Sequence, residues 1–514
     1  MNGAESLIRT LLAGGVEVCF TNPGTSEMHI VAALDRLPEM RCVLGLFEGV
    51  VTAASDGYAR MAEKPACTLL HLGPGLANGV ANLHNARRAQ VPVVNLVGQH
   101  ATYHLRHDTP LTSDIEGIAR ACSSWVRTSC AASEVSCDAA DAIVAARTAP
   151  GRIATLIVPA DVAWGEGGKV VEMAPLSRPP KPADQAIEQA AELLRSGQPT
   201  GILMSGEALY GRGLAAAGRI AAATGARLLA PYPFARMERG ACAPKVDRIN
   251  YVLEQAVEQL KEFRRLLLVG AAVPVSYFAA PDKSSRLVSS ECTVHTLAKP
   301  GEDLVGALEG LAGTLSLGKM QPLAVEEVRP QVPAAEISLQ GLATAVAALL
   351  PENAIVVDES MTSGRGMMVA TQEGPPHDWL ANTGGSIGIA LPLAVGAAVA
   401  CPDRRVLCLS ADGSGMYTAQ ALWTMAREGL KVTTVIFANR TYGVLKREFS
   451  YLGVGDPGPR ARDLFEIGRP DLDWVHLAKG MGVPGTRASS LESFAKALKN
   501  GFDSEGPMLI EVPL

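Results

Sequence analysis

An aspartate, an asparagine and a main-chain carbonyl make a hard oxygen set, and one stretch of this chain, VLCLSADGSGMYTAQALWTMAREGLKVTTVIFANRTYG, spaces them so that they can converge. An apolar run ends at Ser410, and Asp412, Gly413, Ser414 and Gly415 follow. After a helical pattern, a second apolar run leads to Asn439, 27 residues beyond Asp412. If the two runs are neighbouring parallel strands, Asp412 and Asn439 meet at the carboxyl edge of a sheet, where open α/β sheets bind ligands. With the carbonyl of Thr441 they could hold Mg2+, phosphate oxygens completing its octahedron. Gly413 and Gly415 would let backbone N–H groups approach those phosphates at a helix start. Taken alone, Asp412 reads equally as a helix N-cap. The ordinary reading loses ground once Asn439 and the Tyr442-Gly443 pair are added.

A second carboxylate has a different setting. In RCVLGLFEGVVTAASDGYAR a strand delivers Glu48 to a helix start, where the helix dipole stabilises a carboxylate and capping is its usual role. GGSIGIALPLAVGAAVA, Gly384 to Ala400, is a glycine-rich turn before a buried helix. NPGTSE (Asn22 to Glu27) and HLGPGLANG (His71 to Gly79) both follow apolar strands and are expected to be loops on the ligand edge. The second lacks the G-x-G-x-x-G spacing and the later acidic residue of a dinucleotide site. Gly384 to Gly388 also satisfies the serine-hydrolase G-x-S-x-G pattern, but DWLANTGG is a poor strand to carry a nucleophile at Ser386.

The elements that must position these residues alternate strand and helix, which means parallel sheets covered on both faces. Strands are expected at Val16–Thr21, Cys42–Phe47, Cys67–His71 and Val91–Val97, with helices beginning near Ser26, Glu48 and Asn78. The last segment repeats the scheme with strands at Ala354–Val357, Val406–Ser410, Val432–Ala438 and Met508–Val512. Between them, strands at Gly201–Met204, Ala226–Ala230 and Arg265–Val269 suggest a central α/β unit that is scaffold or substrate-shaping. Proline-rich stretches at Pro175–Pro182 and Pro322–Pro333 read as linkers. They predict three doubly wound α/β domains, 1–174, 183–320 and 334–514.

Composition narrows the partner. Apolar residues at 48% and a mean hydropathy of +0.16 suit a compact fold. A net charge of −6 without a basic block argues against a nucleic-acid surface, and no apolar stretch is long enough to span a membrane. The ten scattered cysteines form no metal spacing and read as buried thiols in a reducing, cytoplasmic setting. The first fifteen residues lack the basic and cleavage features of a signal peptide. Of the 51 glycines most are ordinary turns, but those in Asn22–Thr25, Gly73–Gly79, Gly384–Gly388 and Gly413–Gly415 cluster at the expected sheet edges and point to a small ligand held by backbone.

These motifs together resemble the thiamine-diphosphate-dependent 2-oxo-acid enzymes, the family of acetolactate synthase, pyruvate oxidase and benzoylformate decarboxylase. The resemblance covers both outer domains and the three-part order. The family's Gly-Asp-Gly-Ser…Asn-Asn motif is matched with Ala411 and Arg440 at its ends, and neither change removes a metal ligand. It implies thiamine diphosphate and Mg2+ held by Asp412, Gly413, Ser414, Asn439, Thr441 and Tyr442. Glu48 matches the glutamate that hydrogen-bonds the pyrimidine ring and so promotes formation of the thiazolium ylid. Ile387 matches the residue that props the cofactor in its bent shape, and the carbonyl near Gly385 would accept from its amino group. Asn22, Pro23, Gly24 and Asn78 fall in the loops that close on the cofactor.

By the same resemblance His71 matches a strand-end proton-transfer histidine of benzoylformate decarboxylase, and Thr25 its substrate-binding serine. Gln99, Val444 and Leu445 match substrate-side positions, the last two suggesting an apolar pocket. That enzyme's second catalytic histidine has no counterpart around Tyr277 and Phe278. No flavin fingerprint is found, so FAD is not expected. The implied reaction is decarboxylation of a 2-oxo acid through an enamine, with acetolactate-synthase-like carboligation as the alternative and a non-catalytic, cofactor-binding protein as a distant one. The family builds its site from the first domain of one chain and the last of another, which implies a homodimer or a homotetramer.

Overall fold

The computed structural model describes residues 1–514 except Lys319 and Leu323, the latter within the expected linker Pro322–Pro333. Three sheets carry the molecule. The first contains β1 (Val18–Asn22), β2 (Arg41–Leu44), β3 (Ala66–Leu70), β4 (Val93–Gln99), β5 (Trp125–Thr128) and β6 (Ile153–Pro159), in the order β2-β1-β3-β4-β6-β5, all parallel. Every residue of β3, β4 and β6 is buried. That is what near-continuous apolar runs produce when helices cover both faces.

The central segment supplies β7 (Thr200–Met204), β8 (Arg227–Ala230), β9 (Arg236–Arg239), β10 (Asp247–Arg248), β11 (Arg265–Val269) and β12 (Thr293–Ala298). Five of these form a parallel sheet in the order β10-β8-β7-β11-β12. The last segment supplies β13 (Ala354–Glu359), β14 (His377–Ala381), β15 (Val406–Ala411), β16 (Val432–Ala438), β17 (Gly485–Arg487) and β18 (Met508–Pro513). Their sheet runs β17-β18-β16-β15-β13-β14-β9. β9 is antiparallel to β14 and comes from the central segment, so this sheet is neither wholly parallel nor built from one domain's residues. Arg236 and Arg239 disguise the strand in the sequence, but both are partnered: Arg236 with Asp378 at 2.7 Å, and Arg239 with the carbonyl of Met368 at 2.7 Å.

The first and last domains meet helix on helix. Glu48–Ala62 crosses Ala390–Ala400 so closely that a Cβ on Gly57 would stand 2.1 Å from the Leu393 carbonyl oxygen, and one on Gly396 1.9 Å from that of Ala54. At one end of this contact the fully buried Arg60–Asp56 pair extends to the carbonyls of Ala235 and Ala381, tying all three segments together.

Several expectations need correction. The helix expected near Asn78 spans Leu72–Ala89, so GPGLANG is helix and not loop. Pro74 is tolerated there because the first helical turn has no N–H partner to lose. Cys42, Cys130, Cys137 and Cys242 are exposed rather than buried, Cys42 because β2 is an edge strand. HDWLA, a poor strand by sequence, is the fully buried β14. Among the described residues no helix is long and apolar enough to cross a membrane.

Candidate active site

β15 and β16 are parallel neighbours, with Ala411 level with Phe437, so Asp412 and Asn439 do emerge side by side at the carboxyl edge. The Asp412 carboxylate is buried and accepts the N–H groups of Gly413 (2.8 Å) and Arg440 (2.7 Å). Burial pushes its pKa up, and those two donors pull it partly back. Asn439 turns its amide oxygen to the N–H of Thr441 at 3.1 Å. The Thr441 carbonyl accepts from Gly443 at 3.0 Å, and its hydroxyl donates to Phe465 O at 2.9 Å. Gly413 is needed because a Cβ there would lie 2.6 Å from the Tyr442 ring, whereas Gly415 makes room for Trp474 rather than for a ligand. Ser414 is buried beside them. One carboxylate, one amide oxygen and a carbonyl at a backbone-lined edge fit a divalent cation that also takes phosphate oxygens.

Beyond β14, Asn382–Ile389 forms a loop with Gly385 at φ +80 and Gly388 at φ +93, conformations that favour glycine. Ile387 is half-buried within it. What holds this loop is a residue the motif reading missed. Glu359, at the end of β13 and fully buried, accepts from the N–H of Gly388 and of Ala390 at 3.1 Å each and from the Asn382 side chain at 3.0 Å. Burial raises its pKa to about 7 despite these donors.

A pH dependence follows. From 4.5 to about 7 the folded protein keeps a proton on Glu359 that the unfolded chain has lost, so stability is highest below 4.5 and declines as pH rises to 7, by about 3 kcal/mol. His377 opposes it: burial, with the Arg239 charge, lowers its pKa to about 4, so its contribution grows as pH rises toward 6.5. Urea unfolding of wild type and Glu359→Gln between pH 5 and 8 separates the two. The wild-type-minus-variant stability difference should fall with pH, and a flat difference would mean that Glu359 is ionised throughout.

In the first domain Glu48 opens its helix, nearly buried, with Oε2 accepting from Asn78 at 3.0 Å. A Cβ on Gly75 would stand 3.3 Å from Oε1 and one on Gly79 2.8 Å from Thr52, so these two glycines serve the approach of two helices around this carboxylate, while Gly73 makes room for Ser113. His71 caps the Leu72–Ala89 helix, and its ring lies where a side chain on Gly24 would be, 2.3 Å from a Cβ there. Its Nδ1 is 2.8 Å from Oε2 of Glu27, a wholly buried carboxylate that also accepts the Gly24 N–H at 2.8 Å. Burial raises the Glu27 pKa, and the His71 charge opposes that rise. Glu27 stood in the NPGTSE motif without a role; the small Gly98 opposite, where a Cβ would meet its Oε1 at 1.6 Å, is the signal that makes room for it. Asn22 and Pro23 are half-buried beside it, Thr25 is exposed, and Gln99 is buried with its amide oxygen on the N–H of His100.

Within the chain the glycine loop is tied to both ends of the Glu48 helix: Asn82 donates to the Gly49 carbonyl at 2.9 Å, and Asn85, bonded to Asn82, donates to the Ser386 carbonyl at 2.8 Å. Thr383 of the glycine loop is held by Arg60, at the far end of the Glu48–Ala62 helix, at 3.3 Å. Twelve residues of helix put Glu48 about 18 Å from that contact. Ser386 lies in an extended loop five residues past β14, with its carbonyl taken by Asn85 and Asn382, so no strand-to-helix elbow presents its hydroxyl. Val444 and Leu445 sit on the helix Gly443–Tyr451, Val444 half-buried and Leu445 exposed.

Residues 1–118 match the family model described as thiamine pyrophosphate enzyme, N-terminal TPP binding domain, and residues 362–512 match its C-terminal counterpart. A protein of Mycobacterium tuberculosis (strain H37Rv) named "Putative acetolactate synthase large subunit IlvX" is 53% identical over 513 residues, covering 100% of this chain and 99% of that one. Benzoylformate decarboxylase of Pseudomonas aeruginosa is 28% identical, covering 97% of this chain and 96% of its own length. Among solved structures, the thiamine diphosphate-dependent 4-hydroxybenzoylformate decarboxylase of Rhodococcus jostii RHA1 superimposes with a TM-score of 0.86 over 100% of this chain and 99% of that chain, at 24% identity. That likeness establishes the fold.

Proposed function

The chain belongs to the thiamine pyrophosphate enzyme family, and from that membership we propose that it decarboxylates a 2-oxo acid with Mg2+ as second cofactor. We assign residues 1–174 to the pyrimidine side of the site, 334–514 to the diphosphate side and 183–320 to the central domain. Asp412, Asn439 and the Thr441 carbonyl would hold the metal; Gly413, Ser414 and Tyr442 would line the diphosphate, and Gly385 and Ile387 the rings. When bound, thiamine diphosphate supplies the electron sink that carbon dioxide loss requires.

The chain's own residues divide the remaining work. Glu48, fixed by Asn78, exchanges a proton with the pyrimidine side, while Asn22, Pro23 and Gly24 bound that edge. Thr25 and Gln99 face the substrate carboxylate, and Val444 and Leu445 its side chain. By the family resemblance the matching half of the site comes from a second copy, giving a homodimer or a pair of dimers.

The observation that carries decarboxylation over carboligation is the His71–Glu27 pair. Glu27 engages Nδ1, which leaves Nε2 to deliver a proton to the carbon that loses its carboxylate, the step that releases an aldehyde. Carboligation is favoured instead by the relative named as an acetolactate synthase subunit. A panel of 2-oxo acids with thiamine diphosphate and Mg2+, scored for carbon dioxide, aldehyde and acyloin, decides between them. Aldehyde should dominate, and His71→Ala should lower its rate by about 10²–10⁴-fold, with a smaller loss in Glu27→Gln. Acyloin as the main wild-type product would transfer the assignment to carboligation, and no carbon dioxide from any acid would end it.

A further inference from the structure

We propose that the seam between the central and last domains contains a subsite for an anionic group at the far end of the substrate, formed by Arg447, Ser276 and the hydroxyl of Tyr277. The inference rests on the reading of the reaction as 2-oxo-acid decarboxylation and adds the class of acid.

Tyr277, from the central segment, reaches the glycine loop directly: its hydroxyl lies 1.9 Å from where a Cβ on Gly385 would stand. Behind it is a cavity of about 50 Å³ lined by Ser276, Tyr277, Tyr251, Tyr451, Arg447 and Glu448. That volume exceeds the room one water needs, about 10–15 Å³ on the same measure, and suits a carboxylate. Two of its donors are unused. Ser276 Oγ and Arg447 Nη1 are both buried and find no partner among the described residues, and buried donors of this kind are normally matched by an acceptor.

The Arg447 guanidinium is already oriented for one. Its Nε and Nη2 bind Glu448 Oε1 at 3.2 and 2.6 Å, and it lies 5.1 Å over the Tyr251 ring. Only the Nη1 edge remains. Glu448 is a carboxylate in the wall and opposes an anion, but it is matched by Arg447 itself. Arg365 adds a further positive charge, close enough to Arg447 that, after burial, that charge is the main cause lowering its pKa. Arg248, stacked on Tyr232 at 5.1 Å, is a third cation on the cluster. Asp358 is a second acid near it, and Glu254, bonded to the Tyr451 hydroxyl at 3.2 Å, is a third, but Lys283 pairs with Glu254, so cations remain in excess.

Arg447 lies three residues beyond Val444 on the same helix. It is therefore about 4.5 Å along the helix axis from the Val444 side chain assigned to the substrate. A five-carbon 2-oxo dicarboxylate bridges that distance, and a monocarboxylate of equal length leaves both donors unpaired.

The experiment measures kcat/KM for carbon dioxide release from 2-oxoglutarate and from 2-oxopentanoate, in wild type, Arg447→Met and Ser276→Ala, together with calorimetric binding of glutarate, which has no oxo group to react. Wild type should favour 2-oxoglutarate by about tenfold or more, and Arg447→Met should lower that ratio about 10–100-fold, chiefly through KM, as loss of a hydrogen bond to a charged group predicts. Ser276→Ala should lower it less. Glutarate affinity should fall in parallel with the ratio. Preference of wild type for 2-oxopentanoate, or a ratio unmoved in both variants, overturns the subsite. Release of carbon dioxide from 2-oxopentanoate without glutarate binding rejects the subsite and leaves the reaction standing. Arg447-dependent glutarate binding without carbon dioxide from any acid rejects the reaction and leaves an anion site.

Discussion

Glu48→Gln is expected to fold, bind thiamine diphosphate and lose about 10²–10⁴-fold of the wild-type rate of carbon dioxide release, the range that removal of a positioned proton-transfer group produces. Glutamine preserves the shape and can still meet the Asn78 side chain that now sits 3.0 Å from the carboxylate. It cannot take up and return a proton. The variant therefore separates chemistry from packing in a way that alanine would not, because Glu48 opens a helix whose first turn favours an acid. The measurements are carbon dioxide release under saturating cofactor and calorimetric binding of the cofactor. A rate within threefold of wild type, with binding intact, would remove Glu48 from the reaction. Ser386→Ala is the control, since its hydroxyl carries no step here.

The second large effect concerns assembly. Glu48→Gln leaves the metal-side residues intact, and Asp412→Ala leaves Glu48 intact. If each site takes its first domain from one chain and its last domain from another, both variants are nearly inactive alone. Mixing them after reversible subunit exchange should restore about a quarter of wild-type activity. Half of randomly paired dimers are mixed, and in each of those one of the two symmetric sites is wholly native. Mixtures no more active than their components, with exchange verified by mass, would mean that Glu48 and Asp412 act within one chain.

Much of this site could be read directly from residue order. Asp412 and Asn439 lie at the ends of apolar runs whose lengths match neighbouring buried strands, so their meeting at one edge follows from parallel pairing alone. Glu48 was visible as a carboxylate at a strand-to-helix junction. Glu359 was not, because VVDES has no motif and its importance lies in N–H groups some thirty residues later. Glu27 was hidden for the same reason: its partner His71 is 44 residues away, and only the folded sheet edge brings the two within 2.8 Å. β9 escaped because Arg236 and Arg239 break the apolar pattern, and partners at Asp378 and Met368 that only the fold supplies keep them in a sheet.

The sequence by itself determined the strand and helix alternation, the three-part order and the meeting of Asp412 and Asn439 at one sheet edge. All of these depend on local periodicity and on which residue follows each strand. Tertiary structure decided what depends on approach between distant segments: helix rather than loop at GPGLANG, where Gly75 and Gly79 admit a neighbouring helix; the pairing of Glu27 with His71; and the placement of Tyr277 against Gly385. A residue's neighbours along the chain limit its conformation, but burial, donor count and charge at a site come from segments that only packing brings together.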